Sequence, residues 1–376
     1  MSGKTMDRIM PWLVSIRISV VLVFTMLSMP ASAATLTAQI SKAEAETTEP
    51  SDRDGPGVFS CTHFLNGSIT RGDAAKIRTA IDDYGIGVVR ICLNSNGGNF
   101  AEAVAIAKVV ISTRTATALE PHTKCLSACA FIFMAGSYGR SDVNVPNRAM
   151  HVTATLGFHA PFIDPRALPT DGLRPEDVAG AHKAARIATQ ELIDTFVRPE
   201  FIRWNYDRDL WMKPSLLRLA LAKNSREFFY IDTIGKAGNF NIGVKGFNGS
   251  KTSRTYQMKN LCKNIHLWKL DRFADDGKVH VQRMSKQEVK KQRRENVALA
   301  TWYHMFKRDN RNRPETHAIV HHISDQGSGG IKCIVEVDKK GKINNCSVWL
   351  ISDNGEMRSR CSRRLNRYHI DTKLRR

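Results

Sequence analysis

Short apolar runs alternate with helical patterns between residues 58 and 242, and this alternation predicts an α/β fold. Residues 88–93 form an apolar run that ends at the polar, glycine-containing segment 94–98, which predicts a buried strand entering a turn. Apolar residues then recur at helical spacing across 100–111. The order of strand, glycine turn and helix is typical of layered α/β proteins.

A second unit follows the same order. Residues 115–119 are strand-like, and the apolar stretch 128–135 begins after Ser127 and stops at Gly136. Its length and the glycine at its end favour a buried helix over a strand. A further strand-like run ends at His159, and residues 179–196 have the spacing of a long amphipathic helix.

The character of the chain changes near residues 246–250. Beyond this point, residues 282–308 form a highly charged, mainly helical segment, and two strand-like runs at 331–337 and 342–350 predict a β-hairpin. We therefore predict a domain at 58–248 and a smaller, basic α+β region at 249–376.

Charge separates the two parts. The chain has 56 Lys+Arg and 36 Asp+Glu, and 29 of the former with 13 of the latter lie after residue 250, which gives that region a net charge of +16. Such a surface attracts anionic lipid headgroups, cell-wall polymers or nucleic acid, or is simply solvated. Nucleic acid is the least favoured partner, because no base-reading motif accompanies the charge.

The N-terminus has the pattern of a secretory signal peptide. Basic residues precede an apolar run at 18–29, which is followed by Pro30 and the small-residue segment 31–33. We predict cleavage after residue 33, a flexible lead at 34–57, and a periplasmic or secreted mature protein. An uncleaved N-terminal membrane anchor is the alternative, although the apolar run is shorter than the ~20 residues that a membrane span needs.

Eight cysteines in an exported chain favour disulfides over metal ligation. Four lie in each predicted part, so each part can form its own pairs, and the sequence leaves the connectivity open. The spacing of Cys125 and Cys129 lacks the paired Cys/His clusters of a structural zinc site. We expect neither a metal nor an organic cofactor.

Three short motifs contain residues suited to hydrolytic chemistry. Adjacent Gly97 and Gly98 let backbone N–H groups approach a substrate closely, as an oxyanion site requires, although such a pair is often only a turn. Ser127 opens the predicted helix, as a nucleophile or merely as an N-cap. His159 ends a predicted strand, as the base for a serine or as a structural histidine.

In their order and spacing these motifs resemble the ClpP/crotonase superfamily, specifically its ClpP-like serine peptidases. Members have a strand entering a Ser-Pro-Gly-Gly turn, which reads Ser-Asn-Gly-Gly at 95–98 here. Their nucleophile segment is similar to 127–136, and their strand-end histidine is similar to the Phe-His-Ala-Pro segment at 158–161. The resemblance covers about 58–243 and implies the repeated β-β-α spiral core of that superfamily.

The resemblance also implies a role for each matching residue. Ser127 would be the nucleophile and His159 its general base. Backbone N–H groups of Gly97, Gly98 and Ala128 would form the oxyanion hole, where the loss of one donor typically costs about 3 kcal/mol of barrier.

The match is weakest at the third catalytic residue. The family's orienting aspartate falls near Phe228 in this sequence, so Glu227 or Asp232 would have to replace it. A triad without its carboxylate loses several orders of magnitude in rate. An inactive protein that keeps the fold therefore stays open as an alternative.

Two functional hypotheses follow. The first is an exported ClpP-like serine hydrolase, a peptidase that cleaves peptides or unfolded chains through an acyl-enzyme at Ser127. The second is a binding or assembly protein that keeps the fold without the chemistry and whose basic region contacts anionic envelope components. The resemblance allows a homo-oligomer in either case. The hairpin and its flanking cysteines, Cys333, Cys346 and Cys361, also faintly resemble the TonB C-terminal module.

Overall fold

Strands and helices alternate through the first two thirds of the chain, as the apolar pattern predicts. The computed structural model describes residues 33–38, 61–85, 89–140, 143–162, 174–197, 210–224, 226–249, 252–309, 316–325, 328–353, 355, 357–360 and 367–374. The predicted signal segment, apart from Ala33, lies outside these residues, as does most of the predicted lead.

The helices are α1 (Asp73–Tyr84), α2 (Phe100–Ser112), α3 (Ala128–Met134), α4 (Pro175–Phe196), α5 (Pro214–Leu221), α6 (Ile234–Asn239), α7 (Arg254–Lys269), α8 (Lys286–Glu295) and α9 (Val297–Asp309). The strands are β1 (Thr35–Ala38), β2 (His63–Asn66), β3 (Arg90–Asn94), β4 (Ala116–Leu119), β5 (Lys124–Leu126), β6 (Ser137–Arg140), β7 (Val143–Pro146), β8 (Arg148–His151), β9 (Thr155–Phe158), β10 (Phe229–Tyr230), β11 (Gly243–Lys245), β12 (His280–Arg283), β13 (Thr316–Asp325), β14 (Ser328–Asp338), β15 (Ile343–Ile351) and β16 (Met357–Arg360).

A six-stranded sheet in the order β1-β2-β3-β4-β8-β11 organises the first part. Strands β2, β3, β4, β8 and β11 run parallel, and β1 pairs antiparallel to β2 at the edge. Parallel strands joined by helices are buried on both faces, which explains why they read as continuous apolar runs. A second, three-stranded sheet has the order β10-β9-β5 and carries two of the predicted site residues at its strand ends.

The C-terminal region contains a five-stranded antiparallel sheet in the order β12-β13-β14-β15-β16. Neighbouring residues on a strand face opposite sides, so Ile319 of β13 joins the apolar cluster that includes α7, whereas Val320 joins a second cluster beneath α9. The predicted hairpin is the central pair β14-β15, with its turn at residues 339–342.

The apolar core crosses the predicted division after residue 248. One cluster of buried side chains includes Leu65 of β2, Phe131 of α3, Leu261 of α7 and Val335 of β14. The described residues from 33 onward belong to one compact unit. The division into two domains stays a prediction.

The structure adds detail to the sequence pattern in two places. Residues 35–38 form β1 inside the predicted flexible lead, because the edge of β2 offers backbone hydrogen-bond partners that a composition pattern does not reveal. The spacing of residues 179–196 predicts a long amphipathic helix, and α4 extends from Pro175 to Phe196, with its buried residues Leu192, Thr195 and Phe196 at its C-terminal end. Among the described helices, none is both long enough and apolar enough to cross a membrane.

Candidate active site

Three neighbouring chain segments bring the predicted site residues to one place. Strand β5 ends just before Ser127, and strand β9, which lies parallel beside it, ends just before His159. The Ser127 N–H donates to the Gly157 carbonyl oxygen of β9 at 3.0 Å. On the other side of β5, Ser95 pairs with Cys125 in a parallel bridge, just before the glycine turn. Because the segments are parallel and adjoining, their carboxyl ends share one edge.

Ser127 lies at a sharp turn between β5 and α3. Its backbone has φ 56° and ψ −127°, a region that non-glycine residues rarely adopt. The turn is needed because the chain passes from an extended strand directly into a helix whose first residue is Ala128. A strained serine at a strand-to-helix turn is the geometry of a nucleophile elbow, in which the hydroxyl is held clear of the strand.

A disulfide spans this turn. Cys125 on β5 and Cys129 on α3 are bonded, with 5.2 Å between their Cα atoms, and both residues are fully buried. The two cysteines therefore pair with each other, and their bond connects β5 to the helix that follows Ser127. Two further disulfides, Cys61–Cys92 and Cys262–Cys333, lie one in each predicted part. Three disulfides fit an oxidising compartment.

Gly97 lies against the turn at Ser127, Gly98 lies against Ile69, and both positions need glycine. Their φ values are 107° and 141°, which favour glycine. A Cβ added to Gly97 would lie 2.7 Å from the Ser127 Cβ and 3.2 Å from the Ala128 nitrogen, and one on Gly98 would overlap the carbonyl oxygen of Ile69. The close approach that the motif predicts is therefore present between the glycine turn and the serine.

The three predicted oxyanion donors differ in whether their N–H groups are already used. The Gly97 N–H donates to the Ser95 hydroxyl at 3.0 Å. The N–H groups of Gly98 and Ala128 have no acceptor among the described residues. Ala128 directly follows Ser127, and Gly98 directly follows the glycine that contacts the turn at Ser127. Unused backbone N–H groups in such positions are the donors that an oxyanion site requires.

His159 is buried, with 2% of its surface exposed. Its Nδ1 lies 2.7 Å from the Ala160 carbonyl oxygen, and because that oxygen only accepts, Nδ1 carries the proton and Nε2 keeps a lone pair. The ring packs against Phe228 at 4.7 Å and Phe162 at 5.3 Å between centroids. Burial lowers the pKa of His159, and the Ala160 carbonyl opposes this less strongly, so the ring is neutral at pH 7.

Within the described residues, no hydrogen bond joins Ser127 to His159. In proteins without substrate, such bonds are often longer than in the reacting complex. The strands place the two residues at neighbouring positions, since Ser127 follows the residue paired with Gly157 and His159 lies two residues beyond Gly157.

Neither predicted carboxylate is bonded to His159. Glu227 is exposed and pairs with Lys223 at 3.5 Å. Asp232 binds Lys236 and Lys373, each at 2.7 Å; burial raises its pKa, but the hydrogen bonds from these lysines outweigh that effect and lower it. The resemblance predicts an aspartate near Phe228, and in the structure the phenyl ring of Phe228 contacts His159.

One group of metal-ligand types occurs among the described residues. Ligand atoms of Cys61, Cys92 and Glu120 lie within 4.8 Å of one another. The two cysteines are joined by a disulfide, so they offer no thiolate to an ion. This group does not fit a metal in the oxidised protein.

Sequence reasoning missed three contributors to the site: the Ala160 carbonyl, the Ser95 hydroxyl and the aromatic rings around His159. Ser95 could have been found, because it lies within the glycine motif. The carbonyl and the ring contacts arise from the fold and leave no signal in the sequence.

Comparison with known proteins adds a distant likeness. No protein-family model matches the chain, and no curated protein matches it. Among solved structures, a point mutant of ClpP1 from Listeria monocytogenes matches with a TM-score of 0.31 and 11% identity, over 48% of this chain and 88% of that one. The chain thus has a weak, distant resemblance to the ClpP fold.

Proposed function

We propose that this protein is an exported serine hydrolase, a peptidase that acts on peptides or unfolded chains and uses Ser127 and His159 as a catalytic pair. The observation that carries the proposal is the convergence at one edge of a strained serine, a buried neutral imidazole and two unused backbone N–H donors. The neutral imidazole can accept the hydroxyl proton of the serine, and the two unused N–H groups can donate to an oxyanion.

The proposed reaction begins with attack of the Ser127 hydroxyl oxygen on the substrate carbonyl carbon. The Nε2 of His159 takes the hydroxyl proton as the new C–O bond forms. The carbonyl oxygen becomes an oxyanion, which the N–H groups of Gly98 and Ala128 stabilise. The imidazolium then protonates the leaving amine as the C–N bond breaks, and water attacks the acyl-enzyme in the reverse sequence.

The Ala160 carbonyl takes over part of the role of the missing carboxylate. It fixes the tautomer of His159 through Nδ1, as an aspartate would. A neutral carbonyl stabilises the imidazolium less than a carboxylate does, so we expect turnover well below that of a complete triad. Slow peptide cleavage is the expected behaviour, because His159 acts in both acylation and deacylation.

An active-site serine probe, a fluorophosphonate, tests this proposal. The full chain, expressed with its N-terminal segment and purified from the envelope, should be labelled on the tryptic peptide from Cys125 to Arg140, which contains Ser127. Ser127→Ala and His159→Ala should abolish labelling. Ser112→Ala and His182→Ala alter an exposed serine and an exposed histidine outside the site and should keep it. Folded wild-type protein that takes no label would contradict the hydrolase.

A second function is favoured by the surface of α8. This helix has no buried residue and contains five cations, at 286, 290, 291, 293 and 294, against two glutamates. Such a surface suits contact with an anionic envelope component.

Sedimentation with vesicles tests this second function. The full chain should bind anionic but not zwitterionic lipid in a salt-sensitive manner, and the charge reversal of Lys290 and Lys291 to Glu should weaken that binding. The homo-oligomer that the resemblance allows stays a prediction, and the sedimentation velocity of the purified protein measures its oligomeric state.

A further inference from the structure

The Cys125–Cys129 disulfide encloses the candidate nucleophile in a small covalent ring. The ring begins on β5, passes through Ser127 and Ala128, and closes in the first turn of α3. It therefore contains both the proposed nucleophile and one proposed oxyanion donor. Both sulfur-bearing residues are fully buried, so neighbouring side chains hold the closure in place.

Cys125 is also the central residue of the three segments that form the site. It pairs with Ser95, which precedes the glycine turn, and on its other side with Leu156 of β9, which leads to His159. The disulfide thus fixes α3 to the strand that positions both neighbours. A movement of Ser127 relative to the glycine turn would have to stretch this connection.

The ring contains a backbone conformation that the chain would otherwise avoid. At φ 56° a residue with a Cβ is strained, and it persists only where its surroundings hold it. The hydrogen bond from the Ser127 N–H to the Gly157 carbonyl holds one side of the peptide, and the disulfide closes the other. Without the closure, the turn is free to relax toward ordinary angles.

We infer that the Cys125–Cys129 disulfide is a positioning element that holds Ser127 in its strained conformation, with the Ala128 N–H aimed beside the glycine turn. The inference on conformation stands by itself, and its consequence for reactivity rests on the proposed function.

The span of the disulfide argues against a role in stability alone. A disulfide stabilises mainly by restricting the unfolded chain, and this effect grows with the length of the closed loop. The Cys125–Cys129 separation is 4 residues, whereas Cys61–Cys92 spans 31 and Cys262–Cys333 spans 71. Of the three disulfides, Cys125–Cys129 therefore contributes least to global stability, and its main effect is on the local geometry around Ser127.

Probe labelling compares two disulfide deletions. The variant C125A/C129A should react with the fluorophosphonate at least tenfold more slowly than the wild type. The matched control C61A/C92A removes a longer disulfide of the same part of the chain and should lose more thermal stability but keep the labelling rate. Equal labelling rates for the wild type and C125A/C129A would overturn the positioning role while leaving the hydrolase proposal intact.

A thermal double-mutant cycle tests the conformation without any chemistry. In the disulfide-bonded protein, Ser127→Gly should melt about 2 °C above Ser127→Ala, because glycine relieves the strain that alanine retains. In the C125A/C129A background this difference should vanish or reverse, since glycine has no advantage over alanine once the turn has relaxed. A difference that is the same in both backgrounds overturns the inference, even if the wild type never reacts with the probe.

Discussion

His159 determines how the proposed reaction should depend on pH. Burial against Phe228 lowers its pKa below the ordinary value of 6.5, and the Ala160 carbonyl opposes this effect. The imidazole is therefore a neutral base at pH 7, and the labelling rate of Ser127 should be flat above neutrality and fall tenfold per pH unit well below the pKa of free imidazole.

Exposing His159 should shift that profile. Phe228→Ala opens the ring to water, so the pKa of His159 should rise and the labelling profile should move to higher pH, whereas Phe228→Leu keeps the apolar cover and should leave the profile in place. Titration of the His159 ring by NMR measures the pKa directly. Superimposable profiles for Phe228→Ala and the wild type would show that the phenyl ring does not desolvate the imidazole.

The candidate residues were accessible to sequence reasoning to different degrees. Ser127 and the glycine pair lie in contiguous motifs, and the positive φ values and close contacts at Gly97 and Gly98 require glycine there. The environment of His159 was not predictable, since it depends on β10 pairing beside β9, with Phe229 opposite Phe158. That pairing brings Phe228 to the imidazole and leaves Glu227 facing solvent.

Arg148 of β8 connects the ends of two helices. Its guanidinium is 1% exposed and donates to the Met134 carbonyl at the end of α3 and to the Phe240 carbonyl, at 2.8 Å, after α6. A cation at helix C-termini is favourable because unpaired carbonyl groups gather there. This contact supports α3, which follows Ser127, from the C-terminal end of the helix.

Loss of this connection should destabilise the protein. Arg148→Met leaves two buried carbonyl oxygens without that donor, and we expect a loss of about 2 kcal/mol in the free energy of unfolding. Arg148→Lys should not restore it, because a single ammonium does not reproduce the forked geometry. Urea unfolding measures both, with the exposed Arg186→Met as the control, which should change stability by less than about 0.5 kcal/mol.

The elements best predicted from the sequence were those with a strong period. Helix α2 and the hairpin β14-β15 were anticipated because apolar spacing or alternation continues over many residues. Strands β1, β6 and β7 were missed because each is four residues long and is held by its partner strand rather than by its own pattern. Pairing with a partner strand, and not the local sequence, therefore determines that these residues form strands.

At the scale of the molecule, composition predicted two parts, whereas packing joins them. Charge differs sharply across residue 248, but Phe273 of the basic region packs against Phe229 and Phe240 of the first part. Surface charge reflects interaction with solvent and partners, and it says little about where a buried core ends. A boundary drawn from charge and the extent of an apolar core therefore need not coincide.

The same continuous core contains a buried histidine that should make the protein sensitive to acid. His321 of β13 is fully buried, and its ring nitrogens have no hydrogen-bond partner among the described residues. It lies opposite Arg283 of β12 and opposite Cys333 of β14, whose disulfide leads to α7. Burial lowers the pKa of His321 to about 4, and the charges of Arg283 and Lys259 add to this effect.

Acid should therefore lower the free energy of unfolding. Because the pKa of His321 is lower in the folded protein than the ordinary 6.5, the unfolded chain takes up its proton first as the pH falls. The contribution of His321 to stability is fully present above pH 6.5 and is lost progressively toward pH 4, by about 2 kcal/mol at pH 5 and about 3 kcal/mol in all.

His321→Leu removes this titration. As the pH is lowered, the variant should become more stable than the wild type by those amounts. Urea unfolding from pH 8 to 4.5 measures the difference, with His317→Leu, at an exposed position of the same strand, as the control that should track the wild type. Parallel curves for His321→Leu and the wild type would mean that the buried ring gains a proton in the folded state as readily as in the unfolded one.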